Sequence, residues 1–244
     1  MSQVINIAKR ELMSYFATPV AYVFLMIFLI MAGVFTFYLG NFYERGQADL
    51  LSFFNFHPWL YLFFMPAIAM GLWSQERQLG TIELLMTLPI TLWQAVLGKF
   101  LAAWLFAGGA LLLTFPIWLT VNYLGNPDNG IILAGYIGSW LMAGSFLAIG
   151  GCMSALSRNQ IVAFILAVVV CFLFMVSGLN IVLDLFSSWA PQSVLDVIAS
   201  LSFLSRFESI ARGVIDIRDL FYFVSLILVW LFLTTQIVDR KKAQ

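Results

Sequence analysis

Residues 131–183 read IILAGYIGSWLMAGSFLAIGGCMSALSRNQIVAFILAVVVCFLFMVSGLNIVL, two long apolar runs joined by a short polar turn. Arg158 is the single Lys, Arg, Asp or Glu in this stretch. Each run, 131–156 and 161–183, reaches the roughly 20 mostly apolar residues that a helix needs to cross a bilayer. The stretch therefore predicts two membrane-spanning helices separated by a tight polar turn.

The remainder of the chain has the same character. The protein has 244 residues, of which 62% are hydrophobic and 10% charged, against about 25% charged in an ordinary soluble domain. Four further runs without a charged residue are found at 20–40, 53–73, 100–124 and 220–238. We therefore predict an all-α polytopic membrane protein with six transmembrane helices in a single domain that covers residues 1–244.

The absence of charge inside the six runs also argues against a proton relay or an ion-coupled carrier, and the missing catalytic pairs disfavour an intramembrane enzyme. A charged side chain at mid-membrane costs at least about 2.5 kcal/mol on insertion scales, so proton relays and ion-coupled carriers keep conspicuous carboxylates in their spans. No phosphate-binding P-loop and no hydrolase or metalloprotease motif occurs, and Cys152 and Cys171 both lie in apolar runs. The single histidine, His57, is interpreted as an interfacial residue at the start of a span. We expect no catalytic site, no metal site and no cofactor bound by this chain.

The basic residues are distributed unequally between the two sides that six spans create. Eight of the twelve Lys and Arg residues fall on the side of the termini, namely Lys9, Arg10, Arg77, Lys99, Arg158, Arg240, Lys241 and Lys242. The other four, Arg45, Arg206, Arg212 and Arg218, fall on the opposite side. Because short cytoplasmic loops are enriched in Lys and Arg, both termini are predicted to be cytoplasmic.

Residues 1–18 precede the first span and alternate between apolar and polar positions at helical spacing. Lys9 and Arg10 share the polar face, and Glu11 follows them. The pattern predicts a cytoplasmic amphipathic helix that lies at the membrane interface.

The longest cytoplasmic loop, residues 74–99, reads SQERQLGTIELLMTLPITLWQAVLGK. Gly80 interrupts the chain, and Thr81 can cap a short helix that carries Glu83 in its first turn and ends before Pro89. Thr91 and Gln94 then form a capping-box pattern that opens a helix running into the third span. The loop predicts a short rigid helix over residues 81–88.

Two further segments are predicted from their patterns. The extracytoplasmic segment 184–219 contains two amphipathic stripes, one of them through Phe203 and Phe207, and is expected to form a helical hairpin that dips into the outer leaflet. Asp219 is expected to cap the sixth span.

In the fourth span, Gly135, Ser139 and Ala143 recur every four residues, which favours close packing between helices of this chain, with a dimer seam as the alternative.

Two of these segments resemble the ABC-2 type transporter permeases. The first resemblance runs through Gln75-Glu76-Arg77, Gly80-Thr81-Ile82-Glu83-Leu84-Leu85, Leu88-Pro89 and Gly98-Lys99. The second comprises residues 202–216, SFLSRFESIARGVID, and is similar to permeases associated with gliding motility and with nitrous-oxide-reductase maturation. It includes Phe203, Arg206, Phe207, Glu208, Arg212 and Gly213.

The resemblance implies the membrane subunit of an ABC exporter in the bacterial inner (cytoplasmic) membrane. Two permease chains, identical or paralogous, would each dock a separate cytoplasmic ATPase that binds ATP and Mg. The short helix after span two would be the coupling helix, with Glu76, Arg77, Gly80, Thr81, Glu83, Leu84, Leu85 and Pro89 as its contact residues. The N-terminal helix with Lys9, Arg10 and Glu11 would lie beside it. Membrane lipids and a periplasmic or membrane accessory protein are further expected partners; nucleic acid is not.

The uncharged spans favour a lipid-linked or amphipathic substrate over a hydrophilic ion. An alternative function fits the same sequence: a permease-like membrane anchor that recruits an ATPase and transmits force or signal without moving a solute. The solvated-loop interpretation of Glu76 and Arg77 also remains open at this level.

Overall fold

A computed structural model describes residues 2–83, 89–187 and 190–241, and the regular structure in these ranges is helical. The helices are α1 (Ser2–Ala17), α2 (Pro19–Val34), α3 (Phe42–Arg45), α4 (Leu51–Ala69), α5 (Gly71–Leu79), α6 (Leu92–Leu112), α7 (Phe115–Leu124), α8 (Asn129–Leu156), α9 (Gln160–Val176), α10 (Asn180–Ser187), α11 (Gln192–Ser200), α12 (Phe203–Ala211) and α13 (Ile217–Lys241). A π-helical turn, Phe35–Leu39, continues α2.

The long helices are those that the apolar runs predict. Within the described residues, five stretches are long and apolar enough to cross a membrane: Pro19–Arg45, Leu51–Leu79, Leu92–Leu124, Asn129–Leu156 and Ile217–Lys241. Helices α9 and α10 meet at an angle of 83° and make a sixth when this bent pair is counted as one span. The protein is thus an all-α polytopic membrane protein, and the capping box at Thr91 and Gln94 begins α6 as the sequence predicts.

The fifth predicted span, 161–183, is not one straight helix. It ends as α9 at Val176, and the chain turns sharply at Gly178, where an added Cβ would lie 2.6 Å from the Cβ of Ser202. The Ser202 hydroxyl donates to the carbonyl of Met175 at 3.3 Å, so a carbonyl of the last turn of α9 keeps a partner. The contact with a distant segment decides this break, and hydropathy alone does not reveal it.

Helix α8 is the centre of the bundle and packs against α4, α5, α6, α9, α12 and α13. Its small residues lie inside the chain, as predicted: Ser139 and Ala143 are buried, and an added Cβ on Gly135 would come within 2.5 Å of the Phe54 ring. Small side chains are required because they let neighbouring helices approach closely.

The interfacial interpretation of His57 is wrong. His57 is 0% exposed, and its Nδ1 donates to the Phe53 carbonyl at 2.9 Å. Its ring contacts Phe28 and Tyr61 as well as Phe53. Because α4 begins at Leu51, His57 is in its second turn and faces the bundle, where the backbone carbonyl replaces water as its partner.

The segment after α9 also departs from the prediction. It contains a third short helix, α10, and the stripe of α12 faces the protein rather than lipid: Phe203 is 0% and Phe207 3% exposed. Asp219 does not cap the sixth span. Helix α13 begins two residues earlier, at Ile217, and the Asp219 carboxylate is buried against Arg206 at 3.0 Å.

Both described ends of the chain lie at one end of the bundle, here termed the α1 end. The Lys241 ammonium donates to the Leu156 carbonyl at the end of α8 at 2.6 Å. Helix α1 packs against α6, and Arg10 lines the same groove as Gln160, the first residue of α9. Helices α11 and α12 lie at the other end, here termed the hairpin end.

Candidate functional site

A buried cation lies at the α1 end of the bundle. Lys99, in α6, is 3% exposed, and its ammonium donates to two carboxylates from different helices. Oε1 of Glu76 in α5 is 2.9 Å away, and Oε1 of Glu11 in α1 is 3.2 Å away. The ammonium also lies 5.7 Å from the centroid of the Trp73 ring. One side chain therefore connects α1, α5 and α6 through charge-assisted hydrogen bonds.

The loop between α5 and α6 is attached to this cation from its first residues. Helix α5 ends at Leu79, and Gly80 takes φ +71°, a left-handed conformation that few residues other than glycine adopt. The reversal brings the Thr81 hydroxyl back onto Glu76, where it donates to the carboxylate and, at 3.3 Å, to the backbone carbonyl. Lys99, Glu11, Glu76 and Thr81 are here termed the Lys99 cluster.

Local sequence explains how Lys99 reaches its place. The Thr91 and Gln94 box fixes the start of α6: the Thr91 hydroxyl accepts from the Gln94 amide at 3.3 Å, and Gln94 Oε1 accepts from the Thr91 amide at 3.0 Å. Gly98 then leaves room for α1, since a Cβ there would lie 2.6 Å from Cγ2 of Ile7. The close approach of α1 brings Glu11 within reach of Lys99.

Helix α1 contacts the loop at a second point. The Gln3 side chain donates through Nε2 to the Pro89 carbonyl at 3.3 Å, near the end of the loop. On the same helix, Arg10 pairs with Glu11 at 2.9 Å, while Lys9 is exposed. The N-terminal helix thus contacts both the α5 side and the α6 side of the loop.

Helix α5 is in turn fastened to the central helix α8. The Ser154 hydroxyl donates to the Met70 carbonyl at 2.6 Å and accepts from the amides of Trp73 and Ser74 at 3.0 Å each. These backbone groups lie at the break between α4 and α5, where a buried polar group needs a partner in place of water. Three hydrogen bonds of one side chain therefore join α5 directly to α8.

The remaining residues predicted for the loop have different surroundings. Glu83 is exposed and, with Thr81, belongs to a helical turn, whereas Leu84 and Leu85 and the rest of the predicted helix at 84–88 lie outside the described residues. In the described part of the chain, Nε and Nη2 of Arg77 are buried without a hydrogen-bond partner.

The predicted residues of the hairpin end form a separate site. Arg206 pairs with Asp219 and lies 5.8 Å from the centroid of the Tyr222 ring, while Arg212 pairs with Glu208 on the surface. Gly213 takes φ +88° where the chain leaves α12. This group ties α12 to α13 and has no contact with the Lys99 cluster.

In the sequence pattern, Lys99 is one of several loop cations, and it is not among the predicted site residues. One signal was available: Lys99 is a lone cation eight residues after a capping threonine, directly before an uncharged run. Its partners are 23 and 88 positions away, so no local pattern could name them. Within the described residues, no three His, Cys, Asp or Glu side chains are grouped so that they could hold a metal ion.

Comparison with known families adds the decisive observation. Residues 5–238 match the family described as ABC-2 family transporter protein, nearly the whole chain. The chain belongs to the ABC-2 transporter family. It is therefore a permease, the membrane subunit of an ABC transporter. No curated protein matches the chain.

The contacts described above can now be placed within a permease. In this permease, the α5–α6 loop, the N-terminal helix and the central helix meet through Lys99, Glu76 and Ser154. The candidate site therefore consists of contacts that join the loop to the N-terminal helix and to the central helix.

Proposed function

We propose that this permease pairs with a second permease chain and couples to separate cytoplasmic ATPase subunits to export a lipid-linked or amphipathic substrate. The observation that carries the proposal is the Lys99 cluster, which joins the loop after α5 to α1, α6 and, through Ser154, α8. A loop of solvated charges would have no such attachment to the bundle.

The proposed orientation places the α1 end in the cytoplasm of a bacterium, with the permease in the inner membrane. In the described part of the chain, the α1 end carries more Lys and Arg residues than the hairpin end, among them Arg77 in α5, Arg158 in the α8–α9 turn and Lys241 at the end of α13. This distribution follows the positive-inside rule and supports cytoplasmic termini.

The ATPase would contact the exposed surface formed by the start of the loop and the outer face of α1. Glu83 and Lys9 are exposed there, and Leu79 is 67% exposed. Glu76 would act from inside, because its carboxylate is engaged by Lys99 and Thr81. ATP and Mg would be bound by the ATPase, and this chain would take no part in the hydrolysis chemistry.

Coupling follows from how the contacts are connected. Closure of two ATPases on ATP would push on Thr81 and Glu83, and the push would reach Lys99 through Glu76. Since Ser154 holds α5 to α8, the central helix would move with the loop. Two-state elements of this kind transmit work because packed helices do not deform continuously.

A charge reversal tests the docking surface. Glu83→Arg, produced together with an ABC ATPase that co-purifies with the wild-type permease, is expected to abolish co-purification or coupled ATPase activity, because an exposed carboxylate at the contact is replaced by a cation. Glu208→Arg makes the same change at the hairpin end and is expected to leave assembly intact. Full assembly and activity of the Glu83→Arg variant would refute the docking surface.

A further inference from the structure

A groove of about 820 Å³ lies between α1, α2, α4, α5 and α6. It opens to the surface beside α1. The proposed ATPase coupling uses the loop and the outer face of α1, and it assigns no occupant to this groove.

One end of the groove is lined by equal numbers of cationic and anionic side chains. Arg10 and Lys99 supply two cations, and Glu11 and Glu76 supply two carboxylates. Lys99 is engaged by both carboxylates, whereas the Arg10 side chain is 57% exposed and can turn toward a ligand. Each carboxylate has acceptor sites beyond those that Lys99, Arg10 and Thr81 use, since a carboxylate offers about four.

The other end of the groove is apolar and belongs to the membrane-spanning helices. Its walls include Phe24 of α2, Ala67 and Ile68 of α4 and Phe106 of α6. The groove therefore runs from a charged rim into a region that hydrocarbon can occupy, and it suits a ligand with a charged head and an apolar chain.

We propose that this groove binds a zwitterionic phospholipid with a primary ammonium, phosphatidylethanolamine being the simplest. The phosphate lies toward Arg10, the ammonium donates to the carboxylates of Glu11 and Glu76, and the first part of an acyl chain lies against Phe24 and Ile68. An anionic headgroup would meet two carboxylates, and a trimethylammonium group has no proton to donate to them.

The test uses the purified full chain in detergent without any ATPase, so that its outcome is independent of the docking proposal. Phosphatidylethanolamine, phosphatidylcholine and phosphatidylglycerol are added at equal concentration, and native mass spectrometry measures the lipid retained. We expect preferential retention of phosphatidylethanolamine. Equal retention of phosphatidylcholine would overturn the role of the ammonium, and equal retention of phosphatidylglycerol would overturn the charge match.

Two variants with matched controls locate the lipid. Arg10→Gln is expected to lower retention about tenfold, the effect of losing one charge-assisted hydrogen bond, whereas Lys9→Gln removes a neighbouring exposed charge without effect. Ala67→Phe fills the apolar end and is expected to displace the lipid. Gly33→Phe adds the same ring to α2 where nothing lies within 4 Å of the added Cβ, and it is expected to be neutral. Unchanged retention in both Arg10→Gln and Ala67→Phe would overturn the site.

Discussion

The Lys99 ammonium lies 2.9 Å from a carboxylate oxygen of Glu76, although the two residues are 23 positions apart in the chain. Glu76 lies near the end of α5 and Lys99 near the start of α6, so the ion pair closes the intervening loop at its base. Glu11, 88 positions from Lys99, adds the N-terminal helix to the same cation. In the permease, the loop and α1 are therefore parts of one junction.

Removing the shared cation is the most direct test of this junction. Lys99→Met is expected to lower the free energy of unfolding by about 1–3 kcal/mol, because two partly buried carboxylates lose a charge-assisted donor while keeping Arg10 and Thr81. The measurement is the thermal unfolding midpoint in detergent, compared with that of Lys9→Met, which removes an exposed cation from α1.

A compensated variant separates stability from coupling. Lys99→Met combined with Glu11→Gln and Glu76→Gln removes the uncompensated charges and is expected to recover much of the lost stability. ATPase activity coupled to the permease is expected to stay low in this triple variant, because the loop is no longer tied to α1 and α6. Wild-type coupling in the triple variant would contradict a mechanical role for the cluster.

The packing of α1 against α6 depends on Gly98. Gly98→Ala is expected to displace α1 from α6, because the new Cβ would lie 2.6 Å from the Ile7 side chain. Limited proteolysis near the N-terminus is expected to accelerate and coupled ATPase activity to fall.

The same helix supplies the control for this substitution. Gly109→Ala places a methyl group where nothing lies within 4 Å, so it is expected to leave both measurements unchanged. Ile7→Ala combined with Gly98→Ala is expected to restore protection. If Gly98→Ala alone behaves like Gly109→Ala, α1 is not held at this position.

The attachment of α5 to the central helix depends on Ser154. Ser154→Ala is expected to cost about 1–3 kcal/mol of unfolding free energy, because buried backbone groups of Met70, Trp73 and Ser74 lose a partner. Coupled ATPase activity is expected to fall by more than the loss of folded protein explains. Ser145→Ala on the same helix is the control, since that hydroxyl donates to the Leu141 carbonyl at 3.3 Å and to the Phe223 carbonyl of α13 at 3.4 Å, and neither group belongs to α5. Equal effects of the two substitutions would argue against a special role for Ser154.

A substitution at the hairpin end is expected to change stability without changing ATPase binding. Asp219→Asn is expected to lower the thermal unfolding midpoint, because Arg206 loses the carboxylate 3.0 Å away that ties α12 to α13. Co-purification with the ATPase is expected to persist, since this pair is remote from the loop. Glu208→Gln, which alters an exposed ion pair with Arg212 on α12, the helix of Arg206, is the control for stability. Loss of ATPase binding in Asp219→Asn at unchanged expression would contradict the separation of the two ends.

Reporter fusions test the proposed orientation. A fluorescent protein fused after Gln244 is expected to fold and fluoresce, whereas alkaline phosphatase at the same position is expected to be inactive, because the positive-inside rule places this end in the cytoplasm. Insertion of the same reporters after Asn126, between α7 and α8, is expected to give the opposite pattern. Active alkaline phosphatase after Gln244 would reverse the orientation.

Much of the fold is contained in local sequence. Uncharged apolar runs mark the spans, and the Thr91 and Gln94 box marks the start of α6, because hydropathy and capping depend on residues within a few positions of one another. The small residues of α8 likewise predicted a buried helix, because close helix packing requires them at regular spacing. The N-terminal helix was expected from the same kind of short-range periodicity.

Tertiary structure alone decided the parts that depend on distant partners. Three features depend on which helix lies opposite: the burial of His57, the inward-facing stripe of α12 at Phe203 and the break after Val176. The sequence around each of these positions is equally compatible with lipid contact. The sequence by itself determined a charge-free set of spans and an unequal distribution of basic residues. Only the folded bundle decided that Lys99 leaves solvent for Glu76 and Glu11, because carboxylates so far away along the chain offset its desolvation only once α1, α5 and α6 have packed together.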